Sequence, residues 1–444
     1  MKVRNTLILL VLAALAVVYL IYERKSEEKA SKEREAAKKF LLFKKDSVST
    51  IMVKPDGIEV RKIGGTWQLQ APVQYKADEN TVNALLNVLE MAVRDRTDIT
   101  RTRSEYPTFG LDPARREIIL QHEGRQDTIY VGDQNTTGTL VYARINSDPE
   151  VVMTGIGVHN NVNKALLDWR DKDLINFETS AVNRLLLKTP KNRFELKKEG
   201  GKWQMVVPMK TAADDSKVSS ILNRVRYGRV SEFAAEQLDD GRKYGLDQPA
   251  YEVTVFFGAN DAQKTVQFGR KEGAFNYAHD PARPQVFRVD TSLVKDLNVS
   301  VMDLRNKKLA EFESWNVDYV ELNYADTLKI ICEKDTSNNW QITAPQPRKA
   351  KNWKVSNITG NLSSLEAVAF ADENARDLAK FGLDKPRAIL TVKQKGNEVA
   401  RVLIGRQNQK GDRVYAKAAN SPMVAEVKKD DADRLFTNLS ELAE

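Results

Sequence analysis

Hydrophobic positions along this chain follow two rhythms that alternate in a fixed order. Short runs of period two, residues 58–63, 193–198 and 327–332, each lead through Gly-Gly or Asn-Asn into a second run that opens at a tryptophan. Period two predicts strands with one buried face, and glycine or asparagine tolerates the positive φ of a tight hairpin. Pro72, Pro208 and Pro345 then stop the tryptophan strand, because proline has no N–H to give to a ladder. The rhythm next changes to three and four: Val82, Leu85, Leu86 and Leu89, then Val218, Ile221, Leu222 and Val225, then Val355, Ile358 and Leu362. That spacing lays one apolar stripe along an α-helix. Asp78 and Asp214 stand where an N-cap is wanted, and in the third copy Lys351-Asn352 takes that place, so Asn352 is expected to cap. Four short strand candidates follow, in the first copy residues 117–121, 128–131, 140–145 and 151–153. A second helix, residues 158–169, 291–304 and 430–442, closes each copy.

The order recurs because the sequence itself recurs. GGTWQLQAP around Trp67 returns as GGKWQMVVP around Trp203 and as NNWQITAP around Trp340, at spacings of 136 and 137 residues. Phe109-Gly110-Leu111-Asp112, Tyr244-Gly245-Leu246-Asp247 and Phe381-Gly382-Leu383-Asp384 come 42 or 43 residues after each tryptophan, measured to the glycine. Gly132, Gly269 and Gly405 then end apolar runs, and Tyr142, Tyr277 and Tyr415 follow. Four landmarks in constant order identify a tandem triplication. The predicted fold class is α+β: three tandem repeats of a mixed, mainly antiparallel sheet with two helices each. The boundaries are 47–177, 178–312 and 313–444. Arg170-x-Lys172 with Phe177 and Arg305-x-Lys307 with Phe312 fall at the junctions and read as connectors that fix neighbouring repeats.

The N-terminus departs from this pattern. The run TLILLVLAALAVVYLIY opens at Thr6 and closes at Tyr22, and its 17 residues carry no charge. As a helix it spans about 25 Å, close to the roughly 30 Å hydrocarbon core of a bilayer. Residues 1–22 therefore read as a single-pass membrane anchor ahead of a charged helical stalk, residues 23–46, in which Glu28 and Lys32, and Glu35 and Lys39, form i,i+4 pairs. Ala14-Leu15-Ala16 has the form of a signal-peptide cleavage site, but the apolar run continues beyond it, which favours an uncleaved signal-anchor. A basic n-region before an apolar run places the body in the periplasm. The positive-inside rule points the other way, since seven Lys and Arg lie in residues 23–39 against two before the run.

Composition narrows the chemistry. With 69 Lys and Arg against 61 Asp and Glu, the net charge of +8 is a small difference between large numbers, and acidic runs such as 236–240 and 430–433 interrupt the basic ones. No nucleic-acid module is indicated. The single cysteine, Cys332, excludes a disulfide framework and a Cys-based zinc site. His122, His159 and His279 fall at unmatched positions of the repeat, and Cys332 aligns with Glu59 and Glu195. No G-x-S-x-G, Walker A, H-E-x-x-H, complete G-x-G-x-x-G or EF-hand loop occurs. The sequence thus nominates no catalytic residue, cofactor or metal ligand. Trp67, Trp203 and Trp340, with Tyr142, Tyr277 and Tyr415, read as core and turn residues in preference to aromatic ligand platforms. Asp112, Asp247 and Asp384 are expected to cap the local turn.

An anchor, a charged stalk and copies carrying W-x-L/I-x-x-P, a helix with an Ala-Asp start, F/Y-G-L-D-x-P and a V-x-x-G strand end resemble the bacterial family known as domain of unknown function 4340. The resemblance covers essentially the whole chain beyond the stalk. It implies partners among ABC-transporter subunits of the gliding-motility type, and it carries no catalytic residues. The expectation is a bacterial inner-membrane protein, single-pass with a periplasmic body, whose repeats act as a non-catalytic binding or scaffolding arm for transporter subunits or other envelope proteins. An envelope hydrolase with a site in one repeat and a cytoplasm-facing scaffold remain as alternatives.

Overall fold

The structure, a computed structural model, describes residues 23–25, 38–258, 260–325 and 328–444. The predicted anchor, Thr6 to Tyr22, and residues 26–37 of the stalk lie outside the described residues. Among the described residues no helix is long and apolar enough to cross a membrane.

The first repeat shows how the pattern becomes a fold. β1 (Val48–Lys54), β2 (Ile58–Ile63) and β3 (Thr66–Ala71) form a meander, β4 (Tyr75–Lys76) adds a short edge, and α1 (Glu79–Met91) follows. β5 (Arg96–Thr100) leads to a turn at Gly110, then β6 (Arg116–His122), β7 (Arg125–Gln134), β8 (Leu140–Ile145) and β9 (Val151–Gly155), then α2 (Gly157–Val162) and α3 (Leu166–Trp169). The nine strands join in the order β4-β3-β2-β1-β6-β7-β8-β9-β5, and the second and third repeats build sheets in the same order. The sheets are antiparallel, in line with the mixed but mainly antiparallel pairing expected. Gly64-Gly65 and Gly200-Gly201 take the positive φ angles of a tight hairpin, and Asn338 supplies one at 65° in the third copy. The helix stripe packs as its spacing requires: Val82, Leu85, Leu86 and Leu89 are buried, as are Val218, Ile221, Leu222 and Val225, and Val355, Ile358 and Leu362. They cover one face of each sheet beside Ile51, Val60 and Leu69 or their counterparts.

Several expectations need correction. β1, β4 and β5 were not among the predicted strands. The closing helix is two short pieces in every copy, Gly157–Val162 and Leu166–Trp169, Thr291–Asp296 and Val301–Leu304, Lys429–Asp433 and Leu439–Leu442. The break has a local cause in two of them, where Ser300 caps its neighbour in a capping box and Asn438 accepts from the Glu441 N–H. Gly132, Gly269 and Gly405 do not end their strands; the ladder shifts register there and continues. Asp78 and Asp214 cap as predicted, accepting from Thr81 and Lys217. Asn352 does not. It is the first helical residue of Asn352–Ser363, and its Oδ1 takes the Trp340 N–H at 2.6 Å, as Asp215 takes that of Trp203 at 2.8 Å. Lys351 occupies the cap position without a side-chain capping bond.

Phe40 and Leu41, inside the expected stalk, are buried in the core of the first repeat. Main-chain bonds explain this. Arg94 N–H donates to Lys38 O and Phe40 N–H to Ala92 O, as Ala367 donates to Lys307 O and Leu309 to Leu365 O in the third repeat. By contacts the described chain falls into two compact units. One holds the residues through Leu174 with Arg229–Glu236 and Phe287–Val289, and the other holds Ile175–Gly228, Gln237–Val286 and Asp290–Glu444.

Candidate functional site

The four landmarks of each repeat go to two places, the tryptophan to the main core and the glycine, aspartate and tyrosine to one turn. Trp67, Trp203 and Trp340 are buried in the main cores, and their carbonyls accept from Ala77, Ala213 and Ala350 at the approach to each long helix. Gly110, Gly245 and Gly382 end a helical turn in the left-handed region at φ of 66°, 67° and 63°, with Leu111, Leu246 and Leu383 buried behind them. A Cβ on Gly132, Gly269 or Gly405 would lie 2.1, 2.1 or 2.3 Å from the carbonyl oxygen of Phe109, Tyr244 or Phe381, so the turn is seated against the strand bulge. Tyr142, Tyr277 and Tyr415 pack on those same aromatic residues with ring centroids 4.7, 5.0 and 5.1 Å apart. Asp112, Asp247 and Asp384 are exposed, and main-chain bonds such as Leu246 N–H to Gly241 O close the turn instead of the carboxylates expected to do so. The landmarks therefore hold the fold, and the polar pairs they make, Tyr277 with Glu272 and Asp112 with Arg103, are local and differ between copies.

The residue types with most chemical potential lie apart. His122 is buried with its Nε2 2.6 Å from Asp127 Oδ2, and Asp127 in turn accepts from Asn146. His159 is hydrogen-bonded among Gln134, Asn160 and Asn163. His279 sets Nδ1 2.9 Å from Gln285 O. Cys332 faces the third core, and burial pushes its thiol up to about 12. Among the described residues no group of three or more His, Cys, Asp and Glu could hold a metal ion.

The constellation with the most elaborate geometry is instead at the junctions. Arg170 is paired through its main chain with Ala77 of the first repeat, while its buried guanidinium lies 3.3 Å from the ring centre of Phe233 and 4.6 Å from that of Tyr75. Its two terminal nitrogens bind Glu236 at 2.6 and 2.8 Å. Arg305 repeats the arrangement. It pairs with Ala213, stacks 3.5 Å over Phe370, and grips Glu373 through two bonds of 2.6 Å. A planar fork that meets a carboxylate twice and an aromatic face once is specific in angle as well as distance. The two arginines were legible as connectors, but their receivers were not. The available signal was that Phe233 and Phe370, and Glu236 and Glu373, are each 137 residues apart, whereas strand β5 of the first copy has neither an aromatic nor a glutamate.

A family model described as a domain of unknown function (DUF4340) matches the chain in three segments, residues 67–204, 203–371 and 340–444. The chain belongs to this family. Each DUF4340 match opens at a landmark tryptophan, which lies on the third strand of its sheet, so the frame of DUF4340 is offset from the folding unit that begins with β1 or its counterpart. No curated protein and no solved structure matches the chain.

Proposed function

We propose that this DUF4340 protein is a non-catalytic binding or scaffolding arm of the bacterial envelope, anchored in the inner membrane by the run from Thr6 to Tyr22, with its repeats in the periplasm. The observation that carries this reading is the use to which the shared residues are put. Tryptophan, glycine and tyrosine landmarks serve packing, and Arg170 and Arg305 serve the joints between successive repeats. A chain that repeats its scaffold and invests buried arginines in joints suits assembly with other proteins better than turnover of a substrate. The family resemblance supports an ABC-type transport system as the partner.

Two experiments test the reading. Alkaline phosphatase or β-lactamase fused after Glu444 should be active in cells if the body is periplasmic; inactivity of both, with a cytoplasmic reporter active at the same position, would place it in the cytoplasm as the count of basic residues in 23–39 suggests. Crosslinking in the native host followed by membrane solubilisation should recover transporter subunits with the chain. Recovery of none removes the transport assignment.

A further inference from the structure

A groove of about 420 Å³ opens in the second unit, between residues 306–311 and the strands Asn397–Gln407 and Arg413–Ala418 of the third sheet. That volume accommodates a small organic molecule. Its walls are of two kinds. Phe370, Val399 and Ala416 give an apolar side, while Lys307, Lys308, Arg401 and Lys417 bring four cations to the same opening.

The charge is poorly balanced. Glu311 is the one carboxylate in the lining, and it is occupied by the Asn306 amide and lies 3.5 Å from the amine of Lys202. Arg401 has a partner in Glu398 at 2.5 Å. Among the described residues, Lys307 and Lys308 have no ion-pair partner, and the Lys417 amine donates only to the carbonyl oxygens of Ala418 and Ser421. Burial pushes the Lys417 amine below the usual lysine range, the direction expected of a half-buried cation with no anion beside it. An anion entering the groove would offset that cost.

The full set of cations is not shared by the other repeats. Counting from the shared landmarks, the second-repeat positions that correspond to Lys308, Arg401 and Lys417 hold Asp173, Thr265 and His279. Asp173 is itself paired with Arg229. The first repeat keeps cations at the positions of Lys307, Lys308 and Lys417, as Lys38, Lys39 and Arg144, but Arg401 replaces a threonine, Thr128 and Thr265, in both other copies, so four cations gather only at the last junction.

We propose that the groove binds a small amphipathic phosphate, a phosphate monoester on a short apolar body, with its head among Lys307, Lys308 and Lys417 and its body against Phe370, Val399 and Ala416. The site does not depend on the membrane or transporter assignment. The same chemistry is found in soluble phosphate monoesters and in phosphatidate lipids, so the test uses a probe of each kind. Full-length protein in a non-ionic detergent is titrated by calorimetry with hexyl phosphate, dihexanoyl phosphatidate and inorganic phosphate. Hexyl phosphate or the phosphatidate should bind saturably and at least about fivefold more tightly than inorganic phosphate, and whichever of the two binds more tightly identifies the soluble or the lipid source. Lys308→Ala removes an exposed residue and should weaken that binding about tenfold, the equivalent of about 1.4 kcal/mol. Lys417→Gln should do the same, and Val399→Asp, which sets a carboxylate on the apolar wall, should abolish binding. Circular dichroism of each variant checks that it folds, and Lys308→Ala decides the matter if Lys417→Gln does not. Equal binding of inorganic phosphate and the amphipathic probes, or unchanged affinity in folded Lys308→Ala and Val399→Asp, would overturn the proposal.

Discussion

At the residue scale the tightest constraint is space. The glycine bulge at Gly269 admits no Cβ, because the Tyr244 carbonyl oxygen would be 2.1 Å away and that carbonyl belongs to the turn whose leucine is buried. Gly269→Ala should therefore lower stability by about 3 kcal/mol, the upper part of the range for overpacking, measured as a shift in the urea midpoint of the full chain. A loss under about 1 kcal/mol would mean that the turn lifts off the strand without cost. Cys332 is a second case. Its thiol is pushed up to about 12 by burial, and the Tyr324 hydroxyl likewise rises to about 12 from the same cause. An acid whose folded pKa lies above its unfolded value contributes stability below the unfolded pKa and loses it as pH climbs toward the folded one. The third repeat should thus hold its urea midpoint from pH 7 to 8 and lose it progressively between about 9 and 12. In the same experiment iodoacetamide at pH 8 should label Cys332 in urea and leave the native thiol unmodified, because the thiolate is the reacting species.

Elements show how far a sequence carries. The tryptophan hairpin, the long helix and the glycine-leucine turn were all readable, because each depends on local chemistry: positive φ at Gly-Gly, an apolar stripe, a proline stop. Strand β5 was not, since Arg-Thr-Asp-Ile-Thr lies at the sheet edge with an exposed, charged face and no alternation to detect. Its counterparts Glu232–Ala235 and Ala367–Asp372 are largely apolar but were not predicted as strands either, and with them the aromatic receivers Phe233 and Phe370 were missed. The candidate site was therefore half legible, arginines without their sockets, because a contact between distant strands leaves no period in the chain. The helix cap in the third repeat gives a test at this scale. Lys351 sits at the cap with no side-chain acceptor, while Asn352 is committed to the Trp340 amide. Lys351→Asn should stabilise the protein by about 1 kcal/mol by supplying the oxygen that Asp78 and Asp214 provide in the other copies, read as a higher thermal midpoint. No change would indicate that the free N–H groups of this helix are already well solvated.

For the whole molecule the question is how much cooperativity the joints confer. In repeat architectures stability is close to a sum of unit terms and nearest-neighbour terms, so weakening one joint can separate transitions that otherwise coincide. Within the second unit the Arg305 joint is the natural place to look: the guanidinium is buried, it stacks on Phe370, and Glu373 receives both of its terminal nitrogens. Glu373 is about half exposed, so the pair is less costly to break than a fully desolvated one. Arg305→Ala should cost about 2–3 kcal/mol, somewhat under the 3–5 kcal/mol typical of breaking a fully buried ion pair. Arg305→Lys keeps the charge but loses the planar stack and the second bond to the carboxylate, and it should recover less than half of that loss. The more informative reading is the shape of the transition. If the joint couples the second and third repeats, urea unfolding of Arg305→Ala will show a lower apparent m-value or two resolved steps, with alkylation of Cys332, the single cysteine, reporting the third repeat separately. A single transition with unchanged m-value and a lower midpoint would assign the arginine to stability alone, and coupling would then have to come from the main-chain bonds that tie Asn306 to Ala212 and Ala367 to Lys307.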